Sequence, residues 1–146
     1  MAKIPVQKKK KSNLIFIIGL AVVLLVVVLA ATFLNGQDKP TTLPAAISVS
    51  EAAERFTAGA FLLDVREQSE WNDAHINGAV LIPLGQLSTR LSEIPADRDV
   101  LIICRSGNRS AEARDQLRAA GYPNTTSVNG GMNAWITAGL PVVTGP

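Results

Sequence analysis

One cysteine, one histidine and no lysine beyond Lys39 are the scarcities that bound what this chain of 146 residues can do. A single cysteine excludes an internal disulfide, and with one histidine no cluster has the paired spacing of a metal site. Neither a metal nor a cofactor is therefore expected. Aromatic residues are only 5% of the chain, and from Pro40 onward every basic residue is an arginine, eight of them against eleven acids. That region is mildly acidic and has no basic stripe interleaved with aromatics, so nucleic acid is not an expected partner.

The lysines are concentrated at the start. Lys3 and Lys8 to Lys11 precede a charge-free apolar run, Leu14 to Leu34, and only Lys39 follows it closely. As a helix at about 1.5 Å per residue this run would be roughly 31 Å long, the thickness of a bilayer core. The lysine asymmetry predicts a single-pass anchor in the cell membrane with its N-terminus in the cytoplasm and the remainder extracytoplasmic. A cleaved signal peptide ending near Ala30 is the alternative, although the apolar run exceeds the usual length of such a core. Asn35 to Ala46 carries breaker residues without an apolar period and reads as a linker. The expected organisation is a basic segment over 1–13, a transmembrane helix over 14–34, a linker over 35–46 and one domain over 47–146.

Within that domain, strand and helix signals alternate. Ile47 to Val49 reads as a short strand, with a helix opened by Ser50 and Glu51, running through Phe56 and ended by Gly59. Phe61 to Val65 is a buried strand, followed by a helix-prone turn from Glu67 to Trp71. Ala79 to Ile82 is a third strand, after which Pro83 introduces a helix with Leu84, Leu87 and Leu91 at helical spacing. Asp99 to Ile103 is the fourth strand, with Ala111 to Ala120 its helix and Gly121 a left-handed cap. Thr125 to Val128 is the fifth, leading through Gly130 and Gly131 to a helix around Trp135 that Gly139 closes. Short apolar strands alternating with helices predict an α/β fold with a largely parallel sheet covered on both faces.

The lone cysteine sits where such a sheet binds ligands. Cys104 ends the fourth strand, and Arg105-Ser106-Gly107-Asn108-Arg109-Ser110 follows it. In parallel sheets ligands collect at the carboxyl ends of strands, and successive N–H groups turned by Gly107 toward a helix start would form an anion cradle. That setting favours the thiolate, the nucleophilic form of cysteine. Phosphate-cleaving cysteine enzymes place five residues between cysteine and arginine, whereas Cys104 and Arg109 are separated by four. The tighter ring suits a single sulfur atom carried on the cysteine, and phosphatase activity is correspondingly disfavoured.

Four segments in sequence order resemble the signature blocks of the rhodanese family: Leu62 to Glu67, His75 to Ala79, Ile103 to Ser110, and Asn129 to Trp135. The resemblance covers nearly all of Ile47 to Val143. It implies a five-stranded parallel sheet with helices on both faces and a sulfurtransferase activity. Cys104 would be the catalytic nucleophile that carries a persulfide, and Arg105, Ser106, Gly107, Asn108 and Arg109 would bind the substrate. The donor would be thiosulfate or a persulfide, and the acceptor a thiol or cyanide. Asp64, Arg66 and Ser110 are expected to support the loop, and His75 to be a hydrogen-bonded turn residue rather than a base. Gly130 and Gly131 suit close backbone packing beside the site, and Trp71 and Trp135 the core or a pocket wall. A persulfide carrier without turnover of its own is the alternative function.

Overall fold

The structure is a computed structural model that describes residues 17–26 and 42–146. The chain divides into two units, Met1–Lys39 and Pro40–Pro146. In the first, residues 17–26 are helical and expose large apolar side chains such as Ile17, Leu20 and Leu25. No helix among the described residues is long and apolar enough to cross a membrane. The remainder of the expected span, the basic segment before it and most of the linker lie outside the described residues.

The second unit contains the five strands that the alternation predicts: β1 (Ala46–Ile47), β2 (Phe61–Asp64), β3 (Val80–Leu81), β4 (Val100–Ile103) and β5 (Thr125–Val128). They form one sheet in the order β1-β5-β4-β2-β3, with every neighbouring pair parallel. Three α-helices connect strands, α1 (Val49–Thr57), α2 (Gln68–Asp73) and α3 (Asn108–Ala119), and a fourth, α4 (Gly131–Thr137), follows β5. The central strand β4 is buried along its whole length, as a parallel strand covered on both faces must be. Its side chains alternate between two apolar layers. Val100, Ile102 and Cys104 join Leu63, Ile82, Leu87 and Leu117 in one, while Leu101 and Ile103 join Ile47, Leu62, Val128 and Trp135 in the other. Cys104 therefore continues the strand's period of two, and its side chain belongs to the layer beneath α3.

Three local readings are corrected. The first helix opens at Val49, because the Ser48 side chain accepts from the Glu51 N–H as an N-cap, and β1 accordingly ends at Ile47. The segment after Pro83 forms two 3₁₀ turns, Leu84–Thr89 and Leu91–Glu93, rather than an α-helix. Gly85, Ser88 and Thr89 are weak helix formers, and the three-residue bonds from Arg90 N to Leu87 O and from Ile94 N to Leu91 O take over. The helix after β4 begins at Asn108, three residues before the expected start, because Gly107 adopts φ +107° and turns the chain directly from strand end into helix. Asn108, Arg109 and Ser110 are thus the first turn of α3 rather than loop.

The domain's packing also reaches into the sequence read as linker. Leu43 is buried, and two α3 arginines hold the backbone beside it: Arg118 donates to the Leu43 carbonyl at 2.7 Å and Arg114 to that of Ala45 at 2.8 Å.

Candidate active site

The site is built where β4 runs out. Cys104 is almost fully buried, and its sulfur receives the Gly107 N–H at 3.1 Å and lies 3.6 Å from the Ser110 hydroxyl. The loop's carbonyls point elsewhere. The Met132 N–H at the start of α4 donates to Cys104 O at 2.7 Å, and the Asn133 N–H to Arg105 O at 3.1 Å. Two otherwise unpartnered N–H groups of a helix start are satisfied in this way, and the loop's own N–H groups are left facing the sulfur. Such close approach needs Gly131, which has φ +55° and lies against the Cys104 and Arg105 backbone with no room for a side chain.

Burial acts most strongly on the thiol and raises its pKa, but the Ser110 hydroxyl and the N–H groups of Ser110, Gly107 and Ser106 together outweigh it. The net pKa is lowered, so the cradle stabilises the thiolate. The Ser110 hydroxyl is itself held 2.9 Å from Gly107 O and 2.7 Å from the Ser127 hydroxyl of β5. Ser110 has one proton. With a neutral thiol it donates to Gly107 O, and on ionisation the same proton can turn to the sulfur while Ser127 donates to Ser110 from behind.

The arginines divide into three environments. Arg109 makes a two-bond ion pair with Glu70 of α2, at 2.7 and 2.8 Å. Those bonds are the leading cause that takes the Glu70 carboxyl down to about 2 and raises Arg109. Arg66 is paired with buried Asp64 at 2.6 Å and donates to the carbonyls of Glu70 and Ala74. Arg105 is exposed and has no hydrogen-bond or ion-pair partner among the described residues. The expected supports Asp64 and Arg66 thus act at one remove: they fix α2, and α2 presents the carboxylate that holds Arg109.

Of the predicted substrate-binding set, Gly107 touches the sulfur, and Arg105, Ser106 and Asn108 are exposed around it. A cavity of about 290 Å³ opens beside them, with Glu70, Asp73, Arg105, Met132 and Ile136 in its wall. His75 is buried, with its ring stacked at 3.8 Å on Trp71 and its Nδ1 3.1 Å from Trp71 O, and its backbone pairs with Val143. Trp135 is a core residue whose indole N–H donates to Pro141 O at 3.1 Å. A second cavity, about 310 Å³ and mainly apolar, lies between Phe56, Ile76, Trp135 and Val142, and none of the loop's residues lines it.

Two residues escaped the sequence reading. Glu70 follows Glu67 by three, a capping-box spacing that both side chains fulfil, but nothing local marks it as the partner of an arginine 39 positions away. Ser127 did leave a signal: β5 reads Thr-Thr-Ser-Val, and buried hydroxyls favour partners, which those of Thr125 and Ser127 find while that of Thr126 has none.

Fold and site together define a parallel α/β domain with a buried cysteine whose sulfur is held among backbone N–H groups at a strand end. The profile of the Rhodanese-like domain family matches residues 48–138, and the chain belongs to that family. It is 41% identical over 87 residues to a sulfurtransferase of Allochromatium vinosum, covering 60% of this chain and 81% of that one. It is 34% identical over 113 residues to thiosulfate sulfurtransferase 18 of Arabidopsis thaliana, covering 67% and 82%. Among solved structures, a rhodanese-related protein of Thermoplasma volcanium superposes with a TM-score of 0.64 at 33% identity, over 68% of this chain and 98% of the other. Other relatives are much longer, and the chain spans only 19%, 40% and 46% of three of them. Sulfurtransferases among these relatives support a role in sulfur transfer.

Proposed function

We propose that the chain is a rhodanese-type sulfurtransferase that moves sulfane sulfur from thiosulfate or a persulfide to a thiol or cyanide through Cys104. The observation that carries this reading is the sulfur of Cys104 at a strand end, with the Gly107 N–H 3.1 Å away and the Ser106 and Ser110 N–H groups directed at it. The Cys104 thiolate attacks the outer sulfur of the donor, the donor's S–S bond breaks, and sulfite or a thiolate leaves with the bonding electrons. The persulfide on Cys104 keeps one negative charge, which the same N–H groups stabilise as an oxyanion hole would. An acceptor thiolate or cyanide then attacks the outer sulfur and regenerates the Cys104 thiolate.

Thiosulfate and cyanide should yield thiocyanate, and Cys104→Ala should abolish it. Equal turnover by that variant would refute the assignment. The near-complete burial of Cys104 favours one further reading, a persulfide carrier served by a partner protein. A gain of one sulfur on Cys104 in the mass spectrum, without steady-state turnover on small donors, would support the carrier.

The chain is further proposed to be anchored in the cell membrane by Leu14 to Leu34, with its domain extracytoplasmic. Support comes from the charge-free run, the lysines that precede it and the helical, apolar character of residues 17–26. Protease protection in oriented vesicles tests the topology, and the mass of the mature chain tests cleavage near Ala30.

A further inference from the structure

The arginine closest in sequence to the expected role of anion receptor is not free to play it. Both outer nitrogens of Arg109 are bonded to Glu70, at 2.7 and 2.8 Å. Arg66 is likewise offset by Asp64 at 2.6 Å. The cavity whose wall holds Arg105, the residue after Cys104, together with Arg66 and Glu70, has Arg105 as a cation and Asp73 as an acid that are each without an ion pair among the described residues. The surface next to the loop therefore has no surplus of positive charge to draw in a dianion. The cavity wall is also partly apolar, with Met132 and half-exposed Ile136 beside the two charges. That combination suits an organic group carrying both signs of charge better than a compact inorganic anion.

Charge balance in the transfer step points the same way. Thiosulfate (2−) and the Cys104 thiolate (1−) combine to three negative charges, which sulfite (2−) and the enzyme persulfide (1−) carry away. An organic persulfide is attacked in its protonated form, RSSH, which puts no charge on the reacting sulfur: that outer sulfur bonds to Cys104, the S–S bond breaks, and RS⁻ leaves with the electron pair. The proton of RSSH passes to that thiolate, so RSH departs and the single charge stays on the Cys104 persulfide. A cradle whose arginine is already neutralised is matched to the second process.

On the reading that Cys104 accepts sulfane sulfur, we infer that Glu70 is a specificity-determining residue: by holding Arg109 it selects thiol-borne persulfides over thiosulfate as donors. Glu70→Gln keeps an oxygen for the Glu67 N–H that Glu70 caps, removes the charge and turns one of the two acceptors of Arg109 into a donor. Arg109 then regains its electrostatic reach toward anions.

The test measures kcat/KM for loading sulfur onto Cys104 in the full chain, using thiosulfate and cysteine persulfide as the two donors. The ratio of thiosulfate to persulfide should rise about tenfold in Glu70→Gln. Glu67→Gln, which removes a nearby charge that does not bond Arg109, should move it far less. An unchanged ratio in Glu70→Gln, or an equal change in Glu67→Gln, would overturn the inference. A measurement on the unaltered protein guards against a variant that fails to fold: thiosulfate loading should depend only weakly on ionic strength, and a steep decline with salt would count against a neutralised Arg109. Failure of the wild type to load sulfur from either donor would instead refute the sulfurtransferase reading itself, so the two failures are distinguishable.

Discussion

Replacing Gly131 by alanine tests the construction of the site most directly. Gly131 has φ +55°, and a methyl group there would collide with the Cys104 carbonyl oxygen and lie 2.8 and 2.9 Å from the carbonyl carbon and oxygen of Arg105. These are backbone atoms and cannot rotate away. The left-handed conformation alone costs an alanine about 1–2 kcal/mol. Relieving the collision means separating α4 from the loop, which breaks the bonds from Met132 N to Cys104 O and from Asn133 N to Arg105 O. At about 1 kcal/mol each, these bring the expected destabilisation to about 3–4 kcal/mol. Gly121→Ala is the matched control, since Gly121 has φ +93° and nothing within 4 Å, so only the conformational part of the penalty applies. Urea unfolding of the two variants separates strain from collision. Sulfur loading of Cys104 should fall far more in Gly131→Ala, because the loop carbonyls lose the partners that turn its N–H groups toward the sulfur. A Gly131→Ala protein no less stable than Gly121→Ala and loading at the wild-type rate would refute the packing argument.

Ser110→Ala removes the hydroxyl 3.6 Å from the Cys104 sulfur and should raise the thiol's pKa; alkylation by iodoacetamide near neutral pH should slow severalfold and recover at alkaline pH. Glu70, with its carboxyl held down to about 2 in the folded chain against 4.5 ordinarily, adds stability that is present above pH 4.5 and lost as pH falls toward 2. With the pair's side chains still partly solvated, this amounts to about 1 kcal/mol, and acid unfolding of Glu70→Gln should lack that component. Asp64→Ala strands the buried Arg66 guanidinium and should cost about 3–5 kcal/mol in urea unfolding, together with loss of α2's fixed position against Arg109.

Much of the site was legible because its causes are local. Apolar runs of four residues, each followed by a helix signal, suffice to place Cys104 at the carboxyl end of a buried parallel strand, and Gly107 identifies itself by the turn that follows. The close backbone packing expected of Gly131 beside the site rests on the signature block Asn129 to Trp135, and its approach to the Cys104 and Arg105 backbone fulfils it. Local logic failed over Leu84 to Leu91, where helical spacing and weak helix formers disagree and the shorter 3₁₀ bonds prevailed. It also placed the start of α3 three residues late, because it read Arg109 and Ser110 as loop when the positive φ of Gly107 lets the helix begin at once.

What the sequence by itself determined is the alternation that builds a parallel sheet and the position of a cysteine with an anion cradle at its edge. Hydrophobic periodicity and turn chemistry are read within a few residues of one another. Only the tertiary structure decided the charge state of the cradle's surroundings. The strand order puts β4 between β2 and β5, which brings Glu70 from the α2 side onto Arg109 and Ser127 from the β5 side onto Ser110. An ion pair's partner is chosen by which loops share a sheet edge, and that depends on how the whole sheet is threaded.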